Sequence, residues 1–223
     1  MRKSWILLIV PLFVLSSCAV FQGGSSKKSF EGKVRYNITY PETSLTEAQK
    51  QQLPGNITLY IKGDKVKSEM ITGMITRITI KDIAEQKTTT LLEMMGQKYA
   101  IEQTPEDIRE KMEEQDSTEV TVTDETKEIA GYTCKKAMVT PKDGDPYAIY
   151  FTPEIGSSKM NFDSKAYRRI DGLPLEYEMK TNMFRMKLVA DKIEETKIAD
   201  DAFNTPDGYK KVTPEQLQNM LGQ

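Results

Sequence analysis

Histidine is absent from this chain of 223 residues, and cysteine, with two residues, and tryptophan, with one, are scarce. The absence of histidine excludes Ser-His-Asp and Cys-His nucleophile pairs, histidine-bound zinc and pH sensing by an imidazole. Neither sign of charge is in excess, because 31 basic residues are interspersed with 33 acidic ones. The sequence therefore has no basic stripe of the kind that binds nucleic acid.

The sequence also lacks the short motifs that mark common catalytic and nucleotide sites. It contains no GxSxG, P-loop or GxGxxG segment, and no calcium-loop spacing of carboxylates. What it has is 38% hydrophobic residues, which recur in short patterned runs. A chain of this length and pattern predicts one domain with a sizeable core.

The N-terminus carries a targeting signal. Arg2 and Lys3 precede an apolar run at residues 5–15, which is too short to span a bilayer of about 30 Å. The run is typical of a secretory signal peptide. It ends in Leu15-Ser16-Ser17-Cys18, which resembles the lipobox of bacterial lipoproteins, where Cys18 is acylated and the chain is cut before it.

The lipobox implies a division of the chain and a location. Residues 1–17 are the predicted signal peptide, residues 18–29 a flexible tether and residues 30–223 a single β-rich domain. Two or three acyl chains, palmitate among them, would hold Cys18 firmly to a membrane. Ala19 follows the cysteine instead of an aspartate, and no acidic cluster follows, which predicts an outer-membrane protein that faces the periplasm.

Cys134 is the second cysteine, and with Cys18 acylated it has no partner for a disulfide. We expect it to be a small buried residue on a strand. A redox-active thiol is the alternative reading, since Lys135 and Lys136 would lower its pKa.

Alternating apolar and polar residues predict strands along most of the domain. The first covers residues 30–40, others cover residues 118–129 and 132–140, and turns such as Gly63-Asp64 and Asp143-Gly144 separate later ones. Residues 153–171 lack this alternation and are predicted to be a loop. Short helices are predicted at 45–52 with Ser44 as cap, at 104–115 with Thr104 as cap, and at 214–221 with Thr213 as cap. The expected fold is mainly β (α+β), with a curved antiparallel sheet, incompletely closed and barrel-like, over two or three short helices.

Three segments resemble bacterial envelope lipoproteins grouped as domain of unknown function 4412. They are YIKGDKV at 60–66, ETKEIAGYTCK at 125–135 and GLPLEY at 172–177. That family is similar in architecture to the LolA/LolB-like fold, a curved open sheet whose concave face holds acyl chains. The resemblance implies a shape and a class of ligand, but no catalytic residue.

Apolar residues on the inward-facing positions of these strands are candidates to line a ligand cavity. Methionine is prominent among them, and its flexible side chain suits ligands of variable shape. The alternative is that these residues simply fill an irregular core. The candidates are Met70, Met74, Ile78, Ile80, Leu92, Met94, Tyr177, Met179, Met186 and Leu188.

Two groups of carboxylates are candidate sites. Glu176 and Glu178 share one side of a strand, as glycosidase carboxylates do, but they also fit the polar side of an alternating strand. Glu194, Glu195, Asp200 and Asp201 favour a solvated face over a calcium site. The sequence thus predicts no metal, no cofactor and a non-enzymatic module that binds a lipid or acyl chain. The alternatives are a structural or interaction subunit of an envelope protein complex and, more distantly, a hidden enzyme.

Overall fold

A computed structural model describes residues 29–41, 45–73, 75–113, 118–180 and 185–221 of the chain. The predicted signal peptide, Cys18 and most of the tether lie outside these residues. The strands are β1 (Glu31–Thr39), β2 (Asn56–Lys62), β3 (Lys65–Ile71), β4 (Ile75–Asp82), β5 (Lys87–Met94), β6 (Gln97–Gln103), β7 (Thr118–Ile129), β8 (Tyr132–Pro141), β9 (Tyr147–Thr152), β10 (Leu173–Lys180), β11 (Arg185–Glu195) and β12 (Lys210–Lys211).

These strands form one sheet in the order β12-β6-β5-β4-β3-β2-β1-β11-β10-β9-β8-β7. Every neighbouring pair is antiparallel except β12 with β6, which is parallel. The edge strands β12 and β7 do not pair with each other, so the sheet is open. The predicted class, a mainly β protein with an incompletely closed antiparallel sheet and short helices, is confirmed.

Three short helices accompany the sheet in the described residues: α1 (Glu47–Lys50), α2 (Pro105–Glu113) and α3 (Pro214–Leu221). The caps predicted for α2 and α3 are confirmed, because the Thr104 and Thr213 hydroxyls accept hydrogen bonds from backbone amides three residues later. The cap predicted for α1 is wrong. Ser44 lies outside the described residues, and Thr46 forms the capping box with Gln49. None of these helices has the length and apolar content to cross a membrane.

Both faces of the sheet carry apolar clusters. The larger cluster includes Val34, Tyr36 and Leu188, and we call the side of the sheet that carries these residues the cavity face. The smaller cluster joins Ile80, Leu91 and Ala100 to Ile198 and Phe203 of the C-terminal segment. That segment buries part of the opposite face, so apolar side chains point in both directions from the sheet.

Cys134 lies on β8 and is fully buried in the larger cluster. Burial raises the pKa of its thiol to about 11, and its thiol faces the backbone oxygen of Tyr132 at 3.6 Å. The interpretation of Cys134 as a buried strand residue is therefore confirmed. A thiol with so high a pKa is a poor nucleophile at neutral pH.

Candidate functional site

A cavity of about 400 Å³ lies between the cavity face and the long connection from β9 to β10. We call this connection, residues 153–172, the roof. Its two 3-10 turns, Ser158–Asn161 and Tyr167–Arg169, carry Met160 and Tyr167 over the cavity. The volume falls within the range of about 300–1,000 Å³ that is typical of ligand pockets.

Most of the cavity wall is apolar and is built by alternate residues of β1, β2, β3, β10 and β11. Alternation along each strand places these side chains on one side of the sheet. Because the strands pair in register, Leu188 lies beside both Ile38 and Tyr177. The apolar lining residues from the strands are Tyr36, Ile38, Ile57, Leu59, Val66, Met70, Leu173, Pro174, Tyr177, Met179, Met186 and Leu188.

Three tyrosines connect the sheet to the roof. The Tyr177 ring meets the rings of Tyr36 and Tyr167 edge to face, with centroids 5.9 and 6.0 Å apart. The Tyr36 hydroxyl donates a hydrogen bond to the Pro174 carbonyl oxygen at 2.8 Å. Burial raises the pKa of Tyr36 well above its usual value and that of Tyr177 to about 12. The phenols are therefore neutral, and their rings give the cavity a firm wall.

The polar part of the cavity wall is concentrated on one side. Strand β4 contributes Arg77, Thr79 and Lys81, and none of its apolar residues lines the cavity. The Lys81 ammonium forms an ion pair of 2.7 Å with Asp163 of the roof. The cavity therefore has an apolar side on β1, β2, β10 and β11, and a polar, cationic side on β4.

Gly156 leaves the room that Met160 needs at its position over the cavity. Gly156 has a positive φ of 68°, and a Cβ there would lie 2.0 Å from the Met160 sulfur. Only glycine leaves room for this sulfur at that backbone conformation. Met160 is therefore a roof residue that lines the cavity, and it is only 7% exposed.

The structure divides the predicted ligand-lining residues. Five of them line the cavity: Met70, Tyr177, Met179, Met186 and Leu188. Ile78 and Ile80 do not, because they point to the opposite face, where they pack with the C-terminal segment. Leu92 and Met94 lie on β5, outside the cavity wall, and Met74 is outside the described residues.

Other lining residues were missed by the sequence reasoning. Tyr36, Ile38 and Leu59 alternate with polar residues in strands that the sequence predicts. The same alternation could have identified them as lining residues. Arg77 occupies a polar position of β4, and nothing in the local sequence marks it as a lining residue. Met160 and Tyr167 lie within residues 153–171, for which the sequence predicts only a loop.

Four of the six candidate carboxylates form ion pairs with a lysine or an arginine. Glu176 forms ion pairs with Lys127 and Lys187, and Glu178 forms one with Arg185. Among the other acidic candidates, Asp200 pairs with Lys62, and Glu194 pairs with Lys192. In the described residues, no group of three or more acidic or cysteine side chains is arranged to hold a metal ion.

Four of the six large apolar side chains that are exposed in the described residues lie at one end of the sheet. Ile71 is 62% exposed at the end of β3, Ile75 is 40% exposed at the start of β4, and Met95 is 90% exposed in the β5–β6 turn. Met179, at the same end of β10, is 44% exposed and also lines the cavity. We call these four residues the apolar rim. Apolar groups exposed together mark surfaces that contact other molecules.

Comparison with known proteins gives a likeness in fold. No family model and no curated protein matches the chain, but solved structures do. The structure of PNGF-II in the P21 space group matches 87% of this chain at 13% identity and a TM-score of 0.57. This chain spans 34% of that chain, about a third of its length. The crystal structure of MucB matches 81% of this chain and 58% of its own length, at 10% identity and a TM-score of 0.34.

Proposed function

We propose that this protein is a membrane-anchored envelope lipoprotein that binds an apolar ligand, a lipid or acyl chain, in the cavity under the roof. It acts as a binding module and not as an enzyme. The observation that carries the proposal is the cavity of about 400 Å³, whose wall is largely apolar. Apolar side chains that packed fully against one another would close this space.

The size and chemistry of the cavity wall suit an acyl chain. Each buried methylene contributes about 0.8 kcal/mol, so ten of them would give about 8 kcal/mol before the costs of association. Met70, Met160, Met179 and Met186 line the space, and their flexible thioethers adapt to chains of different length. The rings of Tyr36, Tyr167 and Tyr177 add a rigid aromatic part to the same wall.

The resemblance to the envelope lipoproteins of domain of unknown function 4412 supports the anchored location. Its three segments fall on the β2–β3 hairpin, the β7–β8 hairpin and the start of β10. The outer membrane, facing the periplasm, is the location we propose on the basis of Ala19 and the lipobox.

Filling the cavity tests the binding proposal. Ser68 lines it from the middle of β3, where a Ser68→Trp side chain would occupy the space of the ligand. We expect native mass spectrometry of the full chain to show one lipid per wild-type molecule and at least a tenfold smaller bound fraction in Ser68→Trp. Thr121→Trp, on exposed β7, is the matched control and should bind as the wild type does. Lipid retained equally by Ser68→Trp would contradict the proposal.

Removing the thiol of Cys18 tests the anchor. In cells fed labelled palmitate, we expect Cys18→Ala to lose all label and to keep residues 1–17, because cleavage follows acylation. Cys134→Ala is the control, since its thiol is buried, and it should remain labelled and processed. The lipoprotein proposal would be contradicted if the label persisted in Cys18→Ala or disappeared from Cys134→Ala.

The apolar rim favours a second candidate, a subunit of an envelope protein complex. Ile71, Ile75 and Met95 are exposed in the neighbouring β3–β4 and β5–β6 turns, and apolar side chains exposed side by side mark protein contact sites. A protein that carries no lipid but copurifies with an envelope protein in fixed ratio would favour this alternative.

A further inference from the structure

The two sides of the cavity differ in a way that bears on the kind of ligand. Every cavity-lining residue of β4 is polar, namely Arg77, Thr79 and Lys81, and Asn161, Asp163 and Ser164 of the roof also line the cavity. The opposite side, from β1, β2, β10 and β11, is apolar. A wall with one apolar side and one polar side matches an amphiphile better than it matches a wholly apolar molecule.

Two cations of the described residues line the cavity, Arg77 and Lys81. Of these two, only Arg77 forms no ion pair or hydrogen bond with another described side chain. Its cross-strand neighbours are Met70 and Leu92, which are apolar. Along β4, the next residue on the same side is Thr79. Neither β4 nor the two adjacent strands therefore place a carboxylate beside the guanidinium. The side chain is exposed, so it remains solvated while the cavity is empty.

Lys81 differs from Arg77 in this respect. Its ammonium is already paired with Asp163 at 2.7 Å. The charged residues of the cavity wall are therefore Arg77, Lys81 and Asp163, which leave a net charge of +1, located at Arg77. An anionic group is the complement that this wall lacks.

We propose that the ligand is an anionic single-chain amphiphile, such as a fatty acid, whose carboxylate pairs with the Arg77 guanidinium while its acyl chain lies on the apolar side of the cavity. The planar guanidinium can donate two parallel hydrogen bonds to a carboxylate. A volume of about 400 Å³ lies near the lower end of the range for ligand pockets, which favours one chain over two. This inference rests on the proposed lipid-binding function and adds the headgroup and the number of chains.

Photolabelling of the full chain in its own membranes tests the inference. The probes are a twelve-carbon alkyl carboxylate and the matched alcohol, each with a diazirine near the end of the chain. Labelled cavity peptides are quantified after digestion with a protease that does not cut at arginine. Hydrogen bonds to charged groups contribute about 1.5–3 kcal/mol, which corresponds to a tenfold to hundredfold preference.

We expect the carboxylate to label the cavity of the wild type at least tenfold more efficiently than Arg77→Gln, while labelling by the alcohol is the same in both. Comparing variants with the same probe cancels differences in membrane partitioning. Arg77→Lys keeps the charge and should retain part of the carboxylate labelling. Arg109→Gln removes an exposed arginine of α2, away from the cavity, and should label as the wild type does.

The two proposals fail differently. The proposed function itself is wrong if neither probe labels the cavity. It is also wrong if Ser68→Trp leaves the labelling by both probes unchanged. If both probes label the cavity and Arg77→Gln leaves the carboxylate unaffected, lipid binding stands and the role of Arg77 is refuted.

Discussion

A Gly172→Ala variant is expected to lose about 3 kcal/mol or more of its free energy of unfolding, because it combines a strained backbone with an overpacked contact. Gly172 has a φ of 156°, and a Cβ there would lie 2.1 Å from the Thr152 backbone oxygen. Thr152 ends β9 and pairs with Leu173, at the start of β10. The two strands would have to separate where the roof joins them.

The loss of stability is measured as the shift of the urea midpoint, followed by far-ultraviolet circular dichroism. Gly208→Ala is the matched control. Gly208 also has a positive φ, of 88°, but no atom lies within 4 Å of its Cβ position. We expect it to cost only about 1 kcal/mol, the penalty of left-handed backbone alone. Equal losses in the two variants would show that the close approach of β9 to β10 does not matter.

Gly172→Ala should also weaken ligand binding. Leu173 and Pro174 follow Gly172 directly, and both line the cavity. A displacement at this point moves the end of the roof and the Pro174 carbonyl that receives the Tyr36 hydrogen bond. In the labelling experiment, this variant should lose labelling by both probes, unlike Arg77→Gln, which should lose only one.

The strands and helix caps could be predicted from the sequence because they depend on local patterns. Alternation gave β7 and β8 closely, and the threonines before α2 and α3 cap them as expected. Alternation also predicted the half-buried character of β1, where Val34, Tyr36 and Ile38 are buried. These features need only neighbouring residues to be specified.

The side of the sheet that holds the cavity could not be predicted from the same pattern. In β4 the apolar residues Ile78 and Ile80 alternate with Arg77 and Thr79, and the sequence predicts that the apolar side faces the cavity. The C-terminal residues Ile198 and Phe203 cover that side instead. An alternating strand shows that its two sides differ, but a distant segment decides which side faces the ligand.

The roof was equally beyond local reasoning. Residues 153–172 have no repeating pattern, because two short 3-10 turns follow no long hydrophobic period. The positions of Met160 and Tyr167 depend on the packing of Gly156 and Tyr177 beneath them. Long connections often carry the functional residues of a fold for this reason.

Glu176→Gln is expected to lower the free energy of unfolding at neutral pH by about 2 kcal/mol. Glu176 is 7% exposed, and its carboxylate lies 2.5 Å from the Lys127 ammonium and 2.8 Å from that of Lys187. The neutral amide leaves both lysines without their partner. Because these lysines are themselves 47% and 38% exposed, water compensates them in part, and the loss is smaller than for a fully buried pair.

The loss should depend on pH in a definite direction. Burial alone would raise the pKa of Glu176, but hydrogen bonds from Lys127 and Lys187 outweigh it, so the pKa in the folded protein is lowered. A lowered pKa stabilises the folded state above the unfolded value of about 4.3, and this contribution disappears as the pH falls through the folded pKa. The difference between wild type and Glu176→Gln should therefore be greatest at pH 7 and shrink toward pH 2.

Glu178→Gln provides the comparison within the same strand. Glu178 is 31% exposed and its distance to the Arg185 guanidinium is 3.4 Å, so its replacement should cost less than about 1 kcal/mol at pH 7. Urea midpoints of the three proteins between pH 2 and pH 7 measure these differences. A Glu176→Gln loss that stays constant over that range would mean that the side chain acts through packing. Its ion pairs, which link Lys127 of edge strand β7 and Lys187 of β11 through β10, would then contribute little to holding the open sheet in its curved form.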